Sequence, residues 1–130
     1  MYSNTTGDYN AAFGAYSMYD NTVGYQNTAC GYYSLNNNTS GKYNAATGAY
    51  SLYNNTTADY NSASGYATLY NNTTGQNNSA LGAQSGYNNT SGICNTLLGS
   101  KANFYNQTGS YNTIVGYMAG HGTALHNKTG

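Results

Sequence analysis

The residues best supplied for chemistry in this chain are asparagines. Twelve stand in Asn-x-Ser/Thr triplets, the acceptor pattern for N-linked glycans: Asn4, Asn37, Asn38, Asn54, Asn55, Asn71, Asn72, Asn77, Asn88, Asn89, Asn106 and Asn127. With 22 Asn and this Ser/Thr content, about five such triplets would arise by chance. Two explanations compete. Asn-Asn-Thr-Thr is ordinary turn chemistry multiplied by repetition, or it carries glycans that keep an almost uncharged, Tyr-rich chain in solution while tyrosine faces pack on sugar rings. On the glycan reading the first acceptors are Asn38, Asn55, Asn72 and Asn89, with Asn4 and Asn106 from the same column.

Other chemistry is sparse. Three Lys, no Arg, three Asp and no Glu give zero net charge, so no basic cluster is present to neutralise phosphates and a nucleic-acid partner is not expected. Asp8, Asp20 and Asp59 form no repeating carboxylate pair, which argues against a calcium roll. His121 and His126 have no nearby carboxylate or thiol and read as surface residues rather than metal ligands. Cys30 and Cys94 read as buried small residues, too far apart for an internal disulfide. No Ser/His/Asp or Cys/His set stands out for nucleophilic catalysis, so the chain is expected to be no enzyme and to need no cofactor. The column Thr5, Thr22, Thr39, Thr56, Thr73, Thr90 raises a lesser alternative, a water-ordering, ice-binding array.

What must position all these groups is a repeat. Gly14, Gly31, Gly48, Gly65, Gly82, Gly99 and Gly116 follow one another at intervals of 17 residues, and so do Asn10, Asn27, Asn44, Asn61, Asn78, Asn95 and Asn112. A second Asn column runs from Asn4 to Asn106, and a second Gly column from Gly7 to Gly109 breaks only at Ala58. The period gives about 7.6 copies of G-x-Y-N-x-A-x-G-x-Y-S-L-Y-N-N-T-T. Gly, Asn, Thr, Ser and Tyr are poor helix formers, and the period is too short for helix pairs, so each copy is read as one coil of an all-β solenoid, a β-roll or β-helix. A 17-residue coil spans at most roughly 56 Å, room for two or three short strands with corners at the Gly columns. Repeats are assigned to 1–117, and 118–130 to an irregular terminal coil, cap or junction, since the phase is lost after Gly116.

Leu, Ile, Val and Phe make up only 13 of 130 residues, too few for a conventional core. Alternation points Ala12, Ala29, Ala46, Ala63, Ala80, Leu97 and Ile114 inward, together with Met18, Leu35, Leu52 and Leu69. Leu97 and Ile114 replace Ala where the Leu column gives way to Gly86, Asn103 and Gly120, so apolar volume crosses the core. The Asn10-type column is suited to an amide ladder, and Tyr2, Tyr19, Tyr53, Tyr70 and Tyr87 to a ring stack. So thin an interior suggests copies that share the core, as a homotrimer or an end-to-end filament. No apolar run approaches the length of a membrane span. Met1 shares the column of Met18 and Leu35, so it reads as an ordinary repeat residue, and the absence of a visible signal peptide carries little weight.

The segments Asn27-Thr28-Ala29-Cys30-Gly31, Asn78-Ser79-Ala80-Leu81-Gly82 and Asn112-Thr113-Ile114-Val115-Gly116 resemble the repeats in the β-roll heads of trimeric autotransporter adhesins and in phage and viral tail fibres. The resemblance covers about five residues in each of seven coils. It implies a trimeric, left-handed β-roll used for surface attachment. Here the repeat is longer and adds its own Asn-Asn-Thr-Thr segment. The leading expectation is an extracellular structural fibre subunit, N-glycosylated and self-assembling at a cell or virion surface. The alternative is an adhesin or tail-fibre segment whose Tyr-rich face recognises surface carbohydrate.

Overall fold

In a computed structural model describing residues 1–120, the chain is an all-β solenoid built on the 17-residue period. Each coil contributes one three-residue strand: β1 Ala11–Phe13, β2 Thr28–Cys30, β3 Ala45–Thr47, β4 Ser62–Ser64, β5 Ser79–Leu81, β6 Thr96–Leu98 and β7 Thr113–Val115. They form one parallel sheet in sequence order, with each residue paired to the one 17 further on, as in Ala29↔Ala46. The middle residue of a strand points inward and its two neighbours outward, giving an exposed–buried–exposed pattern in most strands.

One strand per coil, rather than two or three, follows from how the remaining residues bend. The Gly14 column holds φ between 120° and 144°, a region that penalises any Cβ. Three further columns lie in the left-handed region although most of their residues are not glycine. They are the Tyr9 column, including Tyr43 (57°) and Tyr60 (59°), the Tyr16 column, including Tyr33 (56°) and Tyr50 (59°), and the Met18 column, including Leu35 and Leu52 (both 51°). Tyr and Leu seldom adopt φ above zero. They are held there because the turns stack and exchange backbone bonds with the next coil, for example Leu35 N–H to Ser51 O at 2.9 Å and Tyr50 N–H to Tyr32 O at 2.9 Å. Irregular backbone thereby satisfies its polar groups much as a sheet does.

The core follows the inward columns. Ala29, Ala46, Met18, Leu35, Leu52 and Leu69 are fully buried within the single chain. The interior therefore closes without a partner, and the inference from a thin core to a shared core does not hold. Buried Asn and Ser columns fill the interior beside the Ala and Leu columns. The volume exchange is visible at Gly86. A Cβ there would stand 2.7 Å from Leu97 Cδ1 and 2.8 Å from Leu69 Cδ2, so Leu97 fills the space its column's Ala residues leave to Leu elsewhere. One coil on, Asn103 occupies the Leu column with φ 53°, fully buried, and neither polar atom of its amide has a partner.

The boundary placed at 117 is too early. Met118 N–H donates to Ser100 O (3.0 Å), Asn103 N–H to Ala119 O (2.8 Å), and Ala119 packs on the core, so 118–120 keep the coil. His121, His126 and Asn127 lie outside the described residues.

Candidate functional site

Two columns of asparagine amides run the length of the interior. In the first, Asn44 N–H and Nδ2–H both donate to Asn27 Oδ1 (2.9 and 3.2 Å), and Asn61 does the same to Asn44 Oδ1 (3.0 and 3.2 Å). The pattern spans Asn10, Asn27, Asn44, Asn61, Asn78, Asn95 and Asn112. In the second, Asn38 Nδ2 donates to Asn21 Oδ1 (2.7 Å), Asn55 to Asn38 (2.9 Å), Asn72 to Asn55 (3.1 Å) and Asn89 to Asn72 (2.7 Å).

The ladders meet at shared carbonyls. Gly41 O accepts from Asn27 (2.8 Å) and Asn38 (3.0 Å), and Gly75 O from Asn61 (2.9 Å) and Asn72 (2.8 Å). This convergence explains the Gly7 column, where φ is not positive. A Cβ on Gly75 would lie 2.4 Å from Gly92 O and 2.5 Å from Asn72 Oδ1. At the one exception, Ala58, the Thr57 N–H···O Thr73 bond is 3.5 Å, against 3.0–3.3 Å for Thr6, Val23, Ser40, Thr74 and Ser91 in equivalent places.

The second ladder overturns the choice of glycan acceptors. Asn38, Asn55 and Asn72 are 0% exposed and Asn89 is 1% exposed, each with Nδ2 already donating twice. A glycan replaces one of those protons and needs open space, so the folded coil cannot carry it there. Asn4 is exposed but Nδ2 donates to Gly7 O (3.0 Å) and Oδ1 accepts from Asn21. Asn106 turns Oδ1 to Gly109 N–H (2.9 Å), leaving its buried Nδ2 and Asn89 Oδ1 without partners. Asn37, Asn54, Asn71 and Asn88 make a third, half-buried ladder, and Asn77 is exposed.

The hydroxyls of the Thr5 column are engaged as well. Thr22 donates to Thr39 O (2.9 Å), Thr39 to Thr56 O (3.1 Å) and Thr56 to Thr73 O (3.1 Å), so each of these hydroxyl protons points to a carbonyl one coil on. Cys30 is exposed, not buried, because it follows inward Ala29 on its strand; Cys94 is half-exposed, and both are free thiols. Among the described residues no group of three or more His, Cys, Asp or Glu is placed to hold a metal, and no helix is long and apolar enough to cross a membrane.

Outside the amide ladders lies a surface of tyrosine. Tyr53, Tyr70, Tyr87 and Phe104 stack at 5.0–5.1 Å with planes within 12°, and Tyr2 stacks on Tyr19 at 4.9 Å. Asn36 interrupts that column. A second stack, absent from the sequence reading, joins Tyr16, Tyr33 and Tyr50 at 4.7 and 5.6 Å. The two touch through Tyr33–Tyr53 and Tyr50–Tyr53, both 5.9 Å. Burial, and then the neighbouring phenols, push Tyr70 above the ordinary tyrosine value. Tyr43 is pushed up to about 12, first by its hydrogen bond with Tyr25. Beside these stacks a cavity of about 290 Å³ is lined by Tyr50, Tyr66, Ala67, Tyr70, Gln84 and Tyr87.

Comparison with family models, with curated proteins and with solved structures finds no match to this chain.

Proposed function

We propose that the chain is a structural segment of an extracellular fibre at a cell or virion surface, a stiff β-solenoid rod that assembles with further copies as a homotrimer or a filament. The observation that carries this reading is the pairing of every coil to the next by both backbone and buried amides, which makes a continuous rod of fixed register. N-linked glycans in this reading sit at the exposed acceptor Asn77 and at Asn4, the exposed first member of the second ladder. Electron microscopy of purified material tests it. Elongated rods with an axial repeat of about 4.8 Å support it, and compact particles without that repeat overturn it. Intact mass of protein from its native source, compared with the 13.7 kDa chain, tests the glycans.

A second reading, an adhesin or tail-fibre segment that recognises surface carbohydrate, is favoured by the stacked tyrosine columns and the cavity beside them. It shares the β-solenoid with the trimeric adhesin heads that the Asn-Thr/Ser-x-x-Gly segments resemble.

A further inference from the structure

The column of Tyr16, Tyr33 and Tyr50 continues through Ala67 and Gln84 with unchanged backbone: φ is 58°, 56°, 59°, 51° and 57° in turn. Position 67 therefore lacks a ring for no backbone reason; only the side chain is missing. Tyr50 stacks on Tyr33 with one face (5.6 Å, 5°); toward the next coil it has no parallel ring, only Tyr66 at 6.1 Å and 80° and Tyr70 at 6.3 Å and 49°, and it borders the cavity between them. Gln84 stands two coil spacings beyond Tyr50, about 9.6 Å, which leaves room for one flat ring between them. Ala67, 2% exposed, is the floor, and Tyr66 on one side and Tyr70 with Tyr87 on the other are the walls.

The chemistry of the walls selects the occupant. Tyr70 and Tyr87 stack on each other (5.0 Å, 8°), and their outer faces are covered by Tyr53 and Phe104, so they offer the cavity only ring edges and hydroxyls. Ring edges carry partial positive charge and ring faces partial negative charge. A slot with one aromatic face, positive edges, phenol hydroxyls and a carboxamide suits a flat ring that has C–H bonds on its face and oxygens around its rim. A quaternary ammonium needs several faces instead, and no charged side chain lines the slot. The volume lies at the lower end of small-molecule sites, about 300 Å³, which fits one ring and not a chain. We infer that the Ala67 slot is a binding site for a single neutral hexopyranose, stacked on Tyr50 and hydrogen-bonded through Gln84 and the Tyr66, Tyr70 and Tyr87 hydroxyls.

This inference gives the carbohydrate-recognition reading a place and leaves the fibre reading untouched. The test is a titration of the folded, isotope-labelled chain with methyl hexopyranosides, following backbone amides by NMR, with choline and p-cresol as competing probes. Binding by a single subsite is expected with a dissociation constant on the order of 1 mM, with shifts concentrated at Ala67, Gln84 and their coil neighbours. Ala67→Tyr restores the column's own residue at a φ where tyrosine already stands, so it should fold and weaken binding at least about tenfold. Gln84→Ala, which leaves the stack intact, should weaken it severalfold. Sugar shifts that map elsewhere and survive Ala67→Tyr overturn the site but spare carbohydrate recognition. No response to any pyranoside overturns both, and a response to p-cresol or choline alone shows that the slot takes another ligand class and overturns the inference.

Discussion

Replacing Asn61 by alanine asks whether the buried amides hold the coils together. Asn61 Nδ2 donates to Asn44 Oδ1 and Gly75 O, and its Oδ1 accepts from both Asn78 N–H and Asn78 Nδ2–H. After truncation Asn44 Oδ1 keeps the Asn61 backbone N–H, Gly75 O keeps Asn72, and Asn78 Nδ2 keeps Gly92 O. The Asn78 backbone N–H alone is orphaned in the interior, at about 1–3 kcal/mol, and the other lost bonds add roughly 1 kcal/mol each. A total near 4–6 kcal/mol is a large share of a stability of about 5–15 kcal/mol and lowers Tm by roughly 15–25 °C. Asn54→Ala is the control: it removes two bonds of the half-buried third ladder, where water can substitute, and should cost under about 1 kcal/mol. Asn61→Asp adds a sign. It sets an oxygen against Gly75 O and Asn44 Oδ1, so burial raises its pKa, and the lost stability returns as pH falls toward the unfolded carboxyl value of about 4. Urea and thermal unfolding followed by circular dichroism measure all three. If Asn61→Ala costs no more than Asn54→Ala, the buried ladder is not what binds the coils.

Asn103→Leu restores the column residue and removes two unpartnered buried polar atoms, so it should stabilise by about 1–3 kcal/mol in the same assay. Gly48→Ala sets a Cβ 2.5 Å from Gly65 O at φ 120° and should destabilise by roughly 2–4 kcal/mol, whereas Ala58→Gly should be neutral or mildly stabilising. Tyr32, Tyr43 and Tyr70 all have raised values, so the folded state favours their protonated phenols. The contribution of each is complete below the unfolded tyrosine value of about 10 and is lost as pH rises through its raised folded value, about 12 for Tyr43. Absorbance titration of phenolate should show a late-titrating group absent from Tyr43→Phe; uniform titration near pH 10 in the folded chain would contradict this.

What the sequence made legible was the spacing and the inward side of each strand. Ala29 and Leu35 could be placed in the core, and the trade of Leu97 against Gly86 could be read, because volume and period are properties of the letters. The turns were hidden for the opposite reason. Nothing in Tyr50 or Leu52 favours a left-handed backbone; the stacked turns impose it, so only Gly14-type corners were visible. Cys30 was misplaced because its outward position depends on which strand residue faces in, and a small residue in the slot held by Phe13 and Leu98 suggested burial. The acceptor asparagines were misread because Asn-x-Thr is spelled the same whether its amide faces water or the core. One signal did distinguish them. The column Asn4, Asn21, Asn38, Asn55, Asn72, Asn89, Asn106 has no substitution in seven coils, while the adjacent column varies as Ser3, Asp20, Asn37, Asn54, Asn71, Asn88, Tyr105. A solvated turn tolerates Ser, Asp or Tyr; an amide that both donates and accepts along a buried ladder tolerates none of them.

That same exchange of bonds sets how the rod keeps its register. The Asn10-type ladder cannot slip by one residue, since its amides would then face the Ala, Ser and Thr of one neighbouring column or the mostly Tyr residues of the other, but a slip of one whole coil would preserve both ladders and the Gly carbonyls that join them. Identical repeats would therefore pair in several registers of nearly equal energy. The irregular positions remove that freedom. Gly86 needs Leu69 before it and Leu97 in the facing column; moved by one coil, the Leu97 side chain would meet a Leu or an Asn103 amide instead of a void. Ala58 accompanies the longest bond of its set, at one interface, and the Tyr16 ring stack ends at Ala67. The departures from the repeat thus specify which coil lies on which, and one of them, at Ala67, leaves the opening assigned to a sugar.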